Sequence, residues 1–134
     1  MDDGTLEIRD HEGEGYKPLV DSGEWRVAIL RFQDGLQPGH QASMERHLET
    51  DEVFVLTKGE GTIVLGGNGP DVGELSFARM VIGRVYNIRK GSWHTISMSP
   101  DASVLIVENQ DTTELNSEYR QLTADQRRSI GDRG

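Results

Sequence analysis

The chain has 134 residues, 34% of them hydrophobic and 16 of them glycine, which suits one compact and turn-rich domain. Its 14 basic and 23 acidic residues give a formal net charge of −9. A surface of that sign repels nucleic-acid phosphates, so a nucleic-acid binder is excluded. Because the chain has no cysteine, disulfides, thiolate metal sites and cysteine nucleophiles are excluded as well.

The N-terminal segment, residues 1–10, is charged and lacks the apolar core of a signal peptide. No stretch of the chain approaches the ~20 apolar residues that span a bilayer. We therefore expect a soluble, cytoplasmic protein that binds neither membranes nor nucleic acids. Leu6 and Ile8 alternate with charged residues, a pattern that suits either an edge strand or a frayed terminus.

Short apolar runs separated by glycine-rich turns dominate the middle of the chain. Residues 25–32 predict a strand with one apolar face. Residues 52–57 and 62–65 flank Lys58-Gly59-Glu60-Gly61, which predicts a β-hairpin. Further short runs lie at residues 75–82, 85–88, 94–98 and 104–108. This spacing is typical of an all-β sandwich or barrel.

The C-terminal residues follow a different pattern. Thr123 is a helix N-cap candidate, and Gln126 three residues later completes a capping box. We therefore predict one short C-terminal helix that frays at Gly131. The predicted organisation is a single domain over residues 1–134, with the barrel core at about 20–110 and a tail with the short helix at about 111–134.

Two of the four histidines lie in strand patterns that suit a metal site. Glu45 and His47 are two residues apart, so on a strand they project from the same face. Glu52 begins the next strand, and His94 opens a strand more than forty residues later. Imidazole and carboxylate ligands together suit Mn, Fe, Co, Ni or Zn. His11 and His40 lie in loop-like sequence and are interpreted as surface residues.

The spacing of these residues resembles the two motifs of the cupin family. The first cupin motif, G-x5-H-x-H-x3-4-E-x6-G, is matched in every spacing by Gly39, Glu45, His47, Glu52 and Gly59. The second, G-x5-P-x-G-x2-H-x3-N, is matched in every spacing by Gly83, Arg89, Gly91, His94 and Met98. Glu45, Arg89 and Met98 replace the first histidine, the proline and the asparagine. The resemblance implies an all-β, double-stranded β-helix (jelly-roll) barrel.

The same resemblance implies that His47, Glu52 and His94 bind one divalent metal ion. It leaves two roles open for Glu45, which can be the fourth ligand or a general base beside the metal. A site of two carboxylates and two imidazoles is rich in oxygen, so Mn or Fe is favoured while Zn, Ni and Co stay open.

Other side chains are candidates for substrate contacts. Phe54 and Met98 share faces with Glu52 and His94 by alternation, and Tyr86 flanks the second motif, so these three form the predicted substrate-binding set. The same pattern suits core packing, and the sequence does not separate the two roles. Four cations, Arg31, Arg46, Lys58 and Arg84, are interpreted as solvated charges on strand faces.

These features lead to three hypotheses about function. The first is a metal-dependent enzyme that acts on a small polar metabolite by isomerase, epimerase or lyase-type proton transfer, with Fe-dependent oxygen chemistry as the rival within that class. The second is a non-catalytic small-molecule-binding module, and the third is a barrel that has lost its metal. The resemblance also implies a homodimer, with Leu6 to Val20 as the candidate interface segment.

Overall fold

The computed structural model describes residues 4–134, so the first three residues of the charged N-terminal segment lie outside the described residues. Ten strands form two five-stranded sheets, and one α-helix follows them. The elements are β1 Gly15–Ser22, β2 Trp25–Arg31, β3 Ser43–His47, β4 Glu52–Lys58, β5 Gly61–Leu65, β6 Ser76–Arg79, β7 Val85–Ile88, β8 His94–Met98, β9 Ser103–Asn109, β10 Ser117–Gln121 and α1 Ala124–Arg133. Across residues 4–134, no helix is long and apolar enough to cross a membrane.

The two sheets face each other around one main core. The first has the strand order β1-β2-β9-β4-β7 and the second β10-β3-β8-β5-β6, with antiparallel pairing throughout. Alternate residues of β2, β4, β8 and β9 point inward and bury aliphatic and aromatic side chains between the sheets. The predicted all-β jelly-roll barrel with a short C-terminal helix is therefore confirmed.

The predicted hairpin at residues 58–61 is wrong. β4 lies in the first sheet and β5 in the second, so this turn carries the chain from one sheet to the other. Gly59 has φ +76°, and a Cβ atom there would lie 2.6 Å from the Cα of Ala102. A turn with these requirements selects glycine just as a hairpin does, which is why local sequence does not separate the two cases.

The C-terminal helix covers the outer face of the second sheet. Thr123 and Gln126 form the predicted capping box. Ile130 is fully buried in a smaller core with Met44, Val64, Trp93 and Leu122. Contrary to the sequence prediction, the helix does not fray at Gly131 but continues to Arg133. Ile130 anchors this last turn in the smaller core, and Gly131 packs against the backbone of Gly39. A Cβ atom added to Gly39 would lie 3.2 Å from the Cα of Gly131.

Two strands extend beyond the range predicted for the barrel core. β1 begins at Gly15, and β10 pairs with β3 from within the predicted tail. Arg46, which was interpreted as a solvated charge, is instead half-buried: its Nε donates a 2.8 Å hydrogen bond to Glu118, and its guanidinium stacks 4.5 Å from the centre of the Trp93 ring. Arg46 thus links β3, β10 and the smaller core.

The homodimer stays a prediction, and the N-terminal segment offers a way to test it. Leu6 and Ile8 are each 55% exposed, they lie outside any strand, and the segment leads into edge strand β1. If these side chains pack on a second copy, replacing both with Asp places charges in an apolar contact and raises the dimer dissociation constant at least about tenfold. Sedimentation velocity at micromolar concentration measures this, and a parent chain that sediments as a monomer would contradict the prediction.

Candidate metal centre

Five ionisable side chains from four strands meet at one end of the barrel. Their carboxylate and imidazole groups point inward between the two sheets, and they are Glu45 and His47 on β3, Glu52 on β4, His94 on β8 and Glu108 on β9. Four of the five are at most 8% exposed, the exception being Glu45. The four residues predicted from the sequence therefore come together, and one unpredicted residue joins them.

The distances within the cluster suit ligands that share one ion. The Oε1 atom of Glu52 lies 3.3 Å from Nε2 of His47 and 3.2 Å from Nε2 of His94. The Oε1 atom of Glu45 lies 3.8 and 3.9 Å from the same two nitrogens. Two ligands that each lie about 2.1 Å from a common ion are about 3.0–3.5 Å apart at ordinary coordination angles, so Glu52 matches this spacing and Glu45 lies slightly outside it.

Both imidazoles are oriented with Nε2 toward the cluster. Nδ1 of His94 lies 2.9 Å from the carbonyl oxygen of Ser92, to which it donates, and Nδ1 of His47 lies 2.8 Å from Oγ of Ser117. Nε2 of His47 is buried without a hydrogen-bond partner among residues 4–134. A buried nitrogen whose lone pair has no partner is costly in an apo site but is the expected state of a metal ligand, so the cluster fits a divalent metal ion.

The charges of Glu52 and the two histidines stabilise one another. Burial alone would raise the pKa of Glu52, but the adjacent imidazoles of His47 and His94 hold this pKa well below its usual range. Burial would also lower the pKa values of both histidines, yet the adjacent carboxylate of Glu52 raises them above the ordinary value. The contact between Glu52 and the two histidines therefore favours the ionised forms of these three groups, which is unusual for buried side chains.

Glu108 is the residue that the sequence analysis missed. It is 8% exposed, and its Oε1 accepts a hydrogen bond from the hydroxyl of Tyr16 on β1. Burial, together with the adjacent carboxylate of Glu52, raises the pKa of Glu108 to about 7. Burial and the contact with Glu108 also raise the pKa of Tyr16. A signal was present, since Glu108 continues the inward alternation of Val104 and Ile106.

The cluster forms one wall of a cavity of about 540 Å³. Phe54 lines this cavity, as predicted, and its ring lies edge-on to His94 at 6.2 Å between ring centroids. The apolar part of the lining also includes Leu30, Ile96 and Ile106. The hydroxyl-bearing part is formed by Thr112, Thr113 and Ser117. The volume and mixed lining suit one small molecule.

Two of the three predicted substrate contacts, Met98 and Tyr86, do not line this cavity, and their role in substrate binding stays a prediction. Met98 is 1% exposed within the main apolar core, four residues along β8 from His94. Tyr86 accepts a 2.9 Å hydrogen bond from the backbone of Val81 and packs against the core. Alternation places a residue on the inner face, but it does not say how far along the barrel the cavity extends.

Comparisons with known proteins identify solved structures of similar fold. No family model matches the chain, and no curated protein matches it. Among solved structures, a cupin-2 domain protein from Shewanella frigidimarina is 17% identical, with a TM-score of 0.53, over 77% of this chain and 85% of that one. Pac13, a nucleoside dehydratase whose Streptomyces variants were solved with uridine, is 13% identical, with a TM-score of 0.55, over 86% of this chain and 87% of that one.

A third similar structure is the capsular polysaccharide assembling protein CapF from Staphylococcus aureus. It is 19% identical, with a TM-score of 0.60, over 83% of this chain and 33% of that one. At such identities the likeness concerns the fold alone. The chain therefore has a cupin-type fold, as its two motifs predict, with a buried His/Glu cluster at the position of the motif residues.

Proposed function

We propose that the protein is a metal-dependent enzyme that transfers a proton on a small polar metabolite bound in the 540 Å³ cavity. One observation carries the proposal: two imidazole nitrogens and the Glu52 carboxylate converge within 3.3 Å at the cavity wall, with Glu45 beside them. His47, Glu52 and His94 would hold the ion. A divalent ion at this position supplies Lewis-acid polarisation of a substrate oxygen.

The side chains around the cluster have separate tasks in this proposal. Glu45 is 38% exposed at its side chain, whereas Glu52 is 7% exposed, so substrate can reach Glu45 but not Glu52. Glu45 accordingly takes up or returns the proton. Phe54 and Ile96 bound the apolar part of the cavity and exclude water there, while Ser117 keeps the ring of His47 in place through Nδ1.

The neighbours in fold support a reaction of this class without identifying the substrate. One of them, Pac13, is a nucleoside dehydratase, so a barrel of this shape does carry out lyase chemistry in that protein. Fold similarity alone does not transfer an activity, which is why the proposal depends on the side chains of this chain.

Two other functions remain as distinct outcomes of the same experiment. The set of two histidines and one carboxylate is also the arrangement of non-haem iron oxygenases, which favours oxygen-dependent cleavage as the second candidate. A barrel that binds a metabolite without converting it is the third possibility. Neither alternative requires a proton acceptor at Glu45.

The proposed activity can be tested by proton exchange. Metabolite pools of sugars, keto acids and ureides are first screened for thermal stabilisation of the Mn²⁺-loaded protein, and the compounds that stabilise it are incubated with it in D₂O. We expect mass spectrometry to show deuterium incorporation or product. Stabilisation without exchange indicates a binding module, and oxygen consumption by the Fe²⁺-loaded protein indicates the oxygenase; either result contradicts the proposal.

The metal itself can be tested with histidine variants. We expect one equivalent of divalent metal per chain after reconstitution, and we expect His47→Ala and His94→Ala each to lose most of it. Both variants should gain less in melting temperature on adding metal than the parent does, because the ligands contribute by binding the ion to the folded state. His40→Ala, which changes an exposed histidine 3.4 Å from Asp34, is the matched control. Elemental analysis that finds no metal in the parent chain would contradict the proposal.

Glu45→Gln separates the two roles proposed for this residue. In either role the loss of the carboxylate should slow proton exchange at least about 100-fold. Metal affinity distinguishes them, since loss of a ligand weakens Mn²⁺ binding whereas loss of a base does not. We expect the dissociation constant to change by less than about twofold, because Oε1 of Glu45 lies 3.8 and 3.9 Å from the two Nε2 atoms, slightly outside the spacing of shared ligands. A dissociation constant in calorimetry that rises at least about tenfold would instead assign Glu45 as a ligand.

A further inference from the structure

Strand register places Glu108 beside Glu52 at the metal end of the barrel. β4 pairs with β9 so that Val53 lies opposite Val107 and Phe54 opposite Ile106. The same register continued by one residue brings Glu52 opposite Glu108, with both side chains on the inner face. Directly opposed residues of an antiparallel pair have Cβ atoms about 4.5–5.5 Å apart, so their carboxylates meet.

A carboxylate oxygen of Glu108 lies close to the ligand atoms of two of the motif residues, His47 and Glu52. A carboxylate oxygen of Glu108, the ligand nitrogen of His47 and a carboxylate oxygen of Glu52 all lie within 4.8 Å of one another. The buried and unpartnered Nε2 of His47 belongs to this group as well as to the group formed by Glu45, His47 and His94. One unpartnered nitrogen therefore connects the two groups.

Two carboxylates in contact at 5% and 8% exposure are stabilised by a cation between them. Like charges at this separation repel strongly away from water, and buried carboxylate pairs are stable when they share a cation or a proton. Arg26 is the Cα partner of Glu108 on β2, but its Nε and Nη2 atoms donate to Asp21 at 2.7 and 3.1 Å. The charge of Arg26 is thus shared with a third carboxylate.

Tyr16 supplies the kind of contact that orients a ligating carboxylate. Its hydroxyl donates to Oε1 of Glu108 and so fixes the orientation of this carboxylate. The histidine ligand candidates are oriented in the same way, by Ser117 and by the carbonyl of Ser92. Hydrogen bonds behind the ligands are a regular feature of metal sites, and every one of these three residues has one.

We propose that the Glu108 carboxylate is an additional metal ligand and that Tyr16 is its positioning residue, an inference that rests on the proposed metal-dependent function. The donor set then has two imidazoles from the second sheet and two carboxylates from the first sheet, with Glu45 beside it at the cavity side. Such a set is richer in oxygen than the motif residues alone, which suits the harder ions Mn²⁺ and Fe²⁺.

Metal titration of matched carboxylate variants tests the proposal. Mn²⁺ binding is measured by calorimetry, and the coordination of Co²⁺ by visible absorption, in the parent chain, Glu108→Gln, Tyr16→Phe and the control Glu74→Gln, which removes an exposed carboxylate outside the cluster. We expect Glu108→Gln to weaken Mn²⁺ binding at least about tenfold and to shift the Co²⁺ bands. Tyr16→Phe should weaken binding less, and Glu74→Gln should leave affinity and spectrum unchanged.

The metal-free proteins provide an independent readout. Because Glu108→Gln removes a repulsion with Glu52, its metal-free melting temperature should equal or exceed that of the parent, while its gain on adding Mn²⁺ should be smaller. Glu108→Asp keeps the charge but shortens the side chain, and it should also shift the Co²⁺ bands, so the test survives if the glutamine variant does not fold.

Two results would overturn this inference, and they are distinguishable. In the first, the parent binds Mn²⁺, and Glu108→Gln matches its affinity within about twofold and has an identical Co²⁺ spectrum. Glu108→Asp replaces the glutamine variant in this comparison if only the aspartate variant folds. Glu108 is then not a ligand, and the proposed function still stands. If the parent binds none of the tested metals, both the inference and the metal-dependent function fail.

Discussion

The contact between Glu52 and the two histidines is the interaction on which this end of the barrel depends. Glu52 belongs to the first sheet, while His47 and His94 belong to the second, so the cluster joins the sheets where no apolar core does. A carboxylate at 5% exposure is stable only with charged or hydrogen-bonded partners. The groups that suit a metal are therefore also the groups that hold the two sheets together at this end.

The inner face of the barrel changes character steadily along its strands. On each of three strands, two inward-facing apolar residues are followed by one ionisable residue at the metal end. The three sets are Leu56, Phe54 and Glu52 on β4; Met98, Ile96 and His94 on β8; and Val104, Ile106 and Glu108 on β9. Close packing at the first end fixes the sheets, and this leaves the other end free to hold a cavity.

The sequence predicted this arrangement well where the information is local or follows a fixed spacing. Motif spacing identified His47, Glu52 and His94, and the capping box located α1. The pairing of distant strands could not be predicted from local sequence. A glycine turn has the same sequence signature whether it closes a hairpin or connects two sheets. The polar strand β10 forms because it pairs with β3, which is distant in sequence. Glu108 lies outside both motifs, and only the register of β9 against β4 brings it to Glu52.

The charge of the cluster constrains the chemistry that it can support. Glu45, Glu52 and Glu108 supply three carboxylates at the cavity wall, and the proposed divalent ion would offset two of these charges. Arg26 lies beside Glu108 but shares its charge with Asp21. The proposed site would therefore not attract an anionic substrate by net charge. Binding would instead come from shape, from apolar contact with Phe54 and from oxygen atoms near the ion, so the proposal favours a polar metabolite without strong negative charge.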